Sequence, residues 1–109
     1  MDVLSRFSVE AIEIKINNKK INGILDFSRF TKLQKLNCKN NKITELINLP
    51  NTLIKLNCSV NKITNLDHLP NSLIELICEE NHIKELDNLP NSVEKLICCG
   101  NILSKLDKI

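Results

Sequence analysis

The sequence predicts a solenoid of about five coils built on short parallel strands, and three observations predict it. Residues recur every twentieth position over the last three-quarters of the chain. Within each repeat, apolar residues alternate in and out as a strand requires. Three of the repeats close on Leu-Pro-Asn, at 49–51, 69–71 and 89–91. In register, the apolar columns are Leu33, Leu53, Leu73 and Val93, then Leu36, Leu56, Leu76 and Leu96. Cys38, Cys58, Cys78 and Cys98 follow, then Asn41, Asn61, Asn81 and Asn101. Ile43, Ile63, Ile83 and Leu103 come next, and Leu46, Leu66, Leu86 and Leu106 complete the set. Self-similarity at a fixed short period is the signature of a stacked repeat array.

The first third of the chain carries a decayed copy at a spacing of 22 residues. There Ile14 falls on Leu36, Ile16 on Cys38, Ile21 on Ile43, Ile24 on Leu46 and Phe27 on Leu49, with Lys19 where the Asn should be. End coils of a solenoid depart from consensus because they close off the core. The organisation expected is one domain: residues 1–30 as a capping segment with a degenerate repeat, and four repeats at 31–50, 51–70, 71–90 and 91–109. Val3, Leu4, Phe7 and Val9 are expected to cover the outer face of the cap.

Each column has a physical reason. Leu36-x-Cys38 and its equivalents point the same way from one short strand, and stacked strands lie about 4.8 Å apart. Pro50, Pro70 and Pro90 lie in the return path, where their fixed φ and missing N–H oppose a helix. The convex side is therefore expected to be extended or 3-10. A buried Asn amide supplies donors and an acceptor where strand turns into loop, and stacked copies can bridge neighbouring coils. Cysteine fills a small inward position as a weakly polar hydrophobe. Disulfides between thiols that point the same way fit poorly. The alternative, a stacked thiolate metal site, lacks the Cys-x-x-Cys spacing and sits among Leu and Ile.

The repeat Leu-x-x-Leu-x-Cys-x-x-Asn-x-Ile-x-x-Leu-x-x-Leu-Pro-x-x resembles the leucine-rich repeat, over about residues 11–109. The 20-residue length and closing Leu-Pro are similar to the short, bacterial-type class found in effector proteins of pathogens. Asn- and Ile-rich versions similar to this one occur in proteins of giant DNA viruses. The resemblance implies an α/β-type leucine-rich repeat solenoid with short parallel strands on the concave face. In some effectors such repeats precede a ubiquitin-ligase domain; these residues hold no such domain, so the resemblance does not imply that activity.

Composition excludes several function classes. The chain has 109 residues, a net charge of +2, two Arg and three aromatic residues, Phe7, Phe27 and Phe30. It lacks the stacking platforms of single-stranded nucleic-acid binders, so binding through its Lys-rich first half is the least favoured reading. No stretch approaches the roughly 20 apolar residues of a membrane span. Charges at Asp2, Arg6 and Glu10 interrupt any secretory leader, and five cysteines without a disulfide pattern point the same way. The expected location is the cytoplasm, or a host cytoplasm for a viral protein or an effector. No catalytic constellation, cofactor motif or metal motif stands out, and His68 and His82 fall in different columns. The expected function is non-catalytic binding.

The outward strand positions are the freest part of the sequence. They form the columns Lys35, Lys55, Glu75 and Lys95; Asn37, Asn57, Ile77 and Ile97; and Lys39, Ser59, Glu79 and Cys99. These, with Ile102 in the last coil, are the candidate contacts for a protein partner whose identity the sequence does not give. Charge is polarised along the array: residues 1–65 carry eleven basic and five acidic groups, or +6, and residues 66–109 carry four and eight, or −4. The last coil turns apolar at Ile97 and Ile102 and is followed by no polar cap before Ile109. A homodimer through that C-terminal coil is therefore the alternative expectation.

Overall fold

A computed structural model describes residues 2–102. A 3-10 turn, Val3–Arg6, precedes seven strands: β1 (Glu13–Lys15), β2 (Asn22–Asp26), β3 (Lys35–Asn37), β4 (Lys42–Ile47), β5 (Lys55–Asn57), β6 (Glu75–Ile77) and β7 (Lys95–Ile97). Five of them stack in parallel, in the order β1-β3-β5-β6-β7. Their register aligns Ile14, Leu36, Leu56, Leu76 and Leu96, as the repeat requires. The fold is a parallel-strand solenoid of five rungs with almost no helix.

The core is the interior of the coil. Leu33, Leu53, Leu73, Cys38, Cys58, Cys78, Ile43, Ile63 and Ile83 are all fully buried. Each rung sits on its neighbour through a forked bond. The Gln34 carbonyl accepts from both Ile54 and Lys55 N–H, and the Ile54 carbonyl from both Ile74 and Glu75. After each Leu-Pro the chain makes a tight turn, in which Leu53, Leu73 and Val93 N–H donate to the carbonyls of Pro50, Pro70 and Pro90. Thr52 and Ser72 hydroxyls then tie the turn to the coil before, donating to Leu33 O (2.7 Å) and Leu53 O (2.6 Å).

The Asn column bridges coils. Asn61 Nδ2 donates to Cys38 O (3.1 Å) and Cys58 O (3.0 Å), while its Oδ1 accepts from Ile43 N–H at 2.9 Å. Asn81 repeats this pattern one coil on, to Cys58 O, Cys78 O and Ile63 N–H. Asn41 has more to do, with Lys19 in place of Asn at the equivalent position of the first coil. Its Oδ1 accepts from both Lys19 and Ile21 N–H at 3.0 Å. Buried backbone groups at the turn thereby keep partners that a loop would otherwise leave unmet.

The return side is extended where it is regular, as expected, and differs only in its residue pairing. Over the first two coils it is extended, and β2 pairs with β4 in a second, two-stranded parallel sheet. The pairing departs from the 22-residue match: Gly23, not Ile21, lies opposite Ile43, and after a bulge between Gly23 and Ile24 it is Leu25, not Ile24, that lies opposite Leu46. Leu25 is buried and Ile24 points to solvent. The third coil leaves this sheet after Lys62 N–H donates to Ile43 O. A hollow of about 510 Å³ opens there between Leu46 and Leu49 on one wall and Leu66 and Leu69 on the other.

At the N-terminal end Leu4 is buried, and Val3 and Phe7 pack against the core. Val9 is instead 49% exposed and plays no part in the cap. Asp2 opens the turn by accepting from Leu4 N–H (3.0 Å). Arg29 closes it, donating to Leu4 O (3.0 Å) while stacking over the Phe30 ring. Leu103, Leu106 and Ile109, part of the expected C-terminal surface, lie outside the described residues.

Candidate binding face

On the concave side each strand presents two outward side chains. The first column is Glu13, Lys35, Lys55, Glu75 and Lys95, and the second is Lys15, Asn37, Asn57, Ile77 and Ile97. Glu13 and Lys15 were missed as part of this face, although the match of Ile14 to Leu36 already placed them on it. A shallow concavity of about 160 Å³ lies over the middle coils, floored by Leu36 and Leu56 and rimmed by Lys35, Lys55, Glu75 and Ile77. Ion pairing across the columns is sparse and loose: Lys95 reaches Glu75 at 3.9 Å, and Lys15 reaches Glu13 at 3.8 Å within its own strand. Lys35, Lys55 and Lys95 are exposed, while Asn37, Asn57, Ile77 and Ile97 are half-buried between their neighbours.

The third column does not present all of its residues. Lys39 and Cys99 are exposed and Glu79 is half-buried. Ser59 is only 2% exposed, which removes it from the open face. The reason lies one coil away. Asn37 Oδ1 accepts from Lys39 N–H, and Asn57 Oδ1 from Ser59 N–H, each at 3.1 Å, so the second-column Asn caps its own turn. Ile77 has no acceptor to offer. Ser59 Oγ takes over and accepts from Glu79 N–H at 3.0 Å. The serine is inward because the isoleucine above it cannot make the local bond.

Ile102 is 58% exposed, and the last coil is covered less than the inner ones: Val93, Leu96 and Cys98 are only partly buried.

The thiols are chemically quiet. Burial pushes the Cys38 and Cys78 thiols up to about 12, and burial, with the neighbouring cysteines, pushes Cys58 up as well. All five cysteines are free. Cys99 differs in being exposed; its Sγ donates to Glu79 Oε2 at 2.7 Å, and that bond holds its thiol above the ordinary range. His68 and His82 are exposed in separate coils. Among the described residues, no group of three or more His, Cys, Asp or Glu converges in a way that would hold a metal. No helix among them is long and apolar enough to cross a membrane.

No protein-family model and no curated protein sequence matches the chain. Solved structures do. The fold is similar to YopM from Yersinia enterocolitica WA-314, with 37% identity over 72% of this chain and a TM-score of 0.69. It is also similar to a Shigella effector leucine-rich-repeat domain, with 23% identity over 91% of this chain and a TM-score of 0.61. The chain spans 18% of the length of the first and 54% of the second. Ladder, inward columns and structural likeness agree that the chain folds as a leucine-rich-repeat solenoid.

Proposed function

We propose that this chain is a non-catalytic protein-interaction module that recognises its partner through the concave columns. One observation carries the reading. The inward columns are nearly uniform from coil to coil, whereas Lys35, Lys55, Glu75 and Lys95, and Asn37, Asn57, Ile77 and Ile97, change along the array. Backbone forks and the Asn column fix the coils, so outward side chains on the strands are free to suit a partner. In this reading residues 1–30 act as a cap and the four repeats after it carry the surface. Five free thiols suit a reducing compartment, and we place the protein's action in a cytoplasm, that of a host cell if the source is a pathogen or a virus. The test is capture of cellular proteins by wild type and by a Lys55→Glu, Ile77→Lys variant. Proteins held by wild type should be lost from the variant while its circular dichroism is unchanged. Retention of the same proteins by both would exclude the concave face.

A second reading has its own observation. Val93, Leu96 and Cys98 are less covered than their counterparts in the inner coils, and Ile102 of the same coil is exposed. A two-fold homodimer through this coil would bury the same apolar patch twice. Sedimentation across a concentration range should then show a dimer that Ile97→Lys, Ile102→Lys abolishes. A dimer indifferent to both substitutions, or a monomer throughout, would exclude it.

A further inference from the structure

Between the strands and the return side runs a third surface, the edge at which every coil turns. Asn18, Asn40, Val60, Glu80 and Gly100 take equivalent places on it, all with left-handed backbone (φ 60°, 59°, 55°, 53° and 77°). Asn and Gly adopt that conformation readily; a β-branched residue does so only under strain. Val60 is also 38% exposed, so burial of its side chain does not offset the strain.

Lysines surround it on the side of the first coils. Lys19, Lys20, Lys39, Lys42 and Lys62 are all exposed. Backbone bonds hold them as neighbours: Asn18 N–H donates to Lys39 O, Lys42 N–H to Ile21 O, and Asn41 N–H to Val60 O. A hollow of about 290 Å³ opens among Asn18, Lys20, Asn40, Asn41 and Lys42. The ion pairs found among the described residues use Lys15, Lys32 and Lys95, and none of these five. On the fourth coil the same edge turns acidic, at Glu79 and Glu80.

We propose that this lysine edge, ending at Val60, docks an acidic segment of a partner protein, with an apolar side chain of that segment set against Val60. The inference rests on the interaction function above and gives the partner a chemistry. Successive coils are separated by less than a Debye length of about 8 Å, so the lysines attract as one patch. Glu79 and Glu80 repel an acidic chain that runs further, which ends the site at the third coil. The cations here are all lysine, without the planar fork with which arginine grips phosphate. Of the aromatic residues, Phe27 and Phe30 are buried and Phe7 is packed against the core, so no ring on the edge can stack on a base. A carboxylate-rich protein segment is therefore favoured over a nucleic acid.

Fluorescence anisotropy with the whole chain tests this. The probes are a labelled glutamate-rich peptide ending in leucine, its glutamine counterpart, and an oligothymidylate. The glutamate peptide should bind, weaken as salt rises, and lose about tenfold in affinity with Lys20→Glu, Lys42→Glu, Lys62→Glu. The triple Lys→Gln variant should lose affinity in the same direction, and circular dichroism verifies that both remain folded. Val60→Gly should weaken binding about threefold. Lys35→Glu, Lys55→Glu on the concave face should change it by less than about twofold. Absence of binding, equal binding of the glutamine peptide, or tighter binding of oligothymidylate would overturn the proposal. Loss of binding in the concave variant alone would overturn the edge and leave the concave reading standing. Failure of the concave reading shows separately, in the capture experiment.

Discussion

The two sides of a single strand behave as different regions of this molecule. In β5, Leu56 points inward and is matched by leucine in β3, β6 and β7, whereas Lys55 and Asn57 point outward and meet Glu75 and Ile77 on the next rung. Inward, identity is set by stacking: each side chain must fill the same slice of core as the one below it. Outward, neighbours impose little, and the residue type drifts. The difference teaches that the repeat records the constraints of folding, and the departures from it mark where other constraints act.

Among the polar positions, the largest break in this contrast should come from the inward Asn column. Asn61→Ala leaves Ile43 N–H without its acceptor in a buried place, and removes a bond to Cys38 O in the coil before and one to Cys58 O in its own coil. Chemical denaturation should show a loss of about 2–4 kcal/mol. Ser59 comes next, and it sharpens the comparison because it stands in an outward column yet acts inward. Ser59→Ala should cost about 1–2 kcal/mol by stranding Glu79 N–H. In an Ile77→Asn background the new side chain can cap that N–H, as Asn57 caps Ser59 N–H, and the same change should cost less than about 0.5 kcal/mol. Equal costs in both backgrounds would refute the substitution of one acceptor for the other.

At the edge, where neither face governs, Val60→Gly should raise stability by about 1 kcal/mol, because glycine relieves the left-handed backbone. A loss of stability would show that Val60 packs better than its exposure indicates. The smallest effect is chemical. Cys99 should be the first thiol alkylated, being exposed while Cys38, Cys58 and Cys78 are buried. Its reactivity should rise with pH as the thiolate forms. The carboxylate of Glu79 favours the neutral thiol, so Glu79→Gln should shift that rise to lower pH and speed labelling at neutral pH. A shift upward, or none, would contradict the bond.

Much of the fold was legible because the inward columns repeat without exception through the middle coils. The strand register, the bridging Asn amides and the buried cysteines all follow from that repetition. The bulge at Gly23/Ile24 was not legible: Ile24 and Leu25 are both apolar, and pattern alone does not say which one faces in. The pairing of β2 with β4 left no mark either, since the same return positions in later coils form no such sheet. Ser59 was misplaced because its orientation depends on an acceptor missing one coil away, at Ile77. The left-handed column was hidden by Val60 and Glu80, which carry no local signal for positive φ, although Asn18, Asn40 and Gly100 do.

The division between a folding interior and a free outer face is tested most directly by unfolding free energies of two variants measured side by side. Leu76→Ala removes a fully buried side chain, and Lys35→Ala, Lys55→Ala removes two exposed ones from adjacent rungs. The account expects a loss of about 2–5 kcal/mol for the first and less than about 0.5 kcal/mol for the second. Comparable losses in the two, or a larger loss from the lysines, would contradict it.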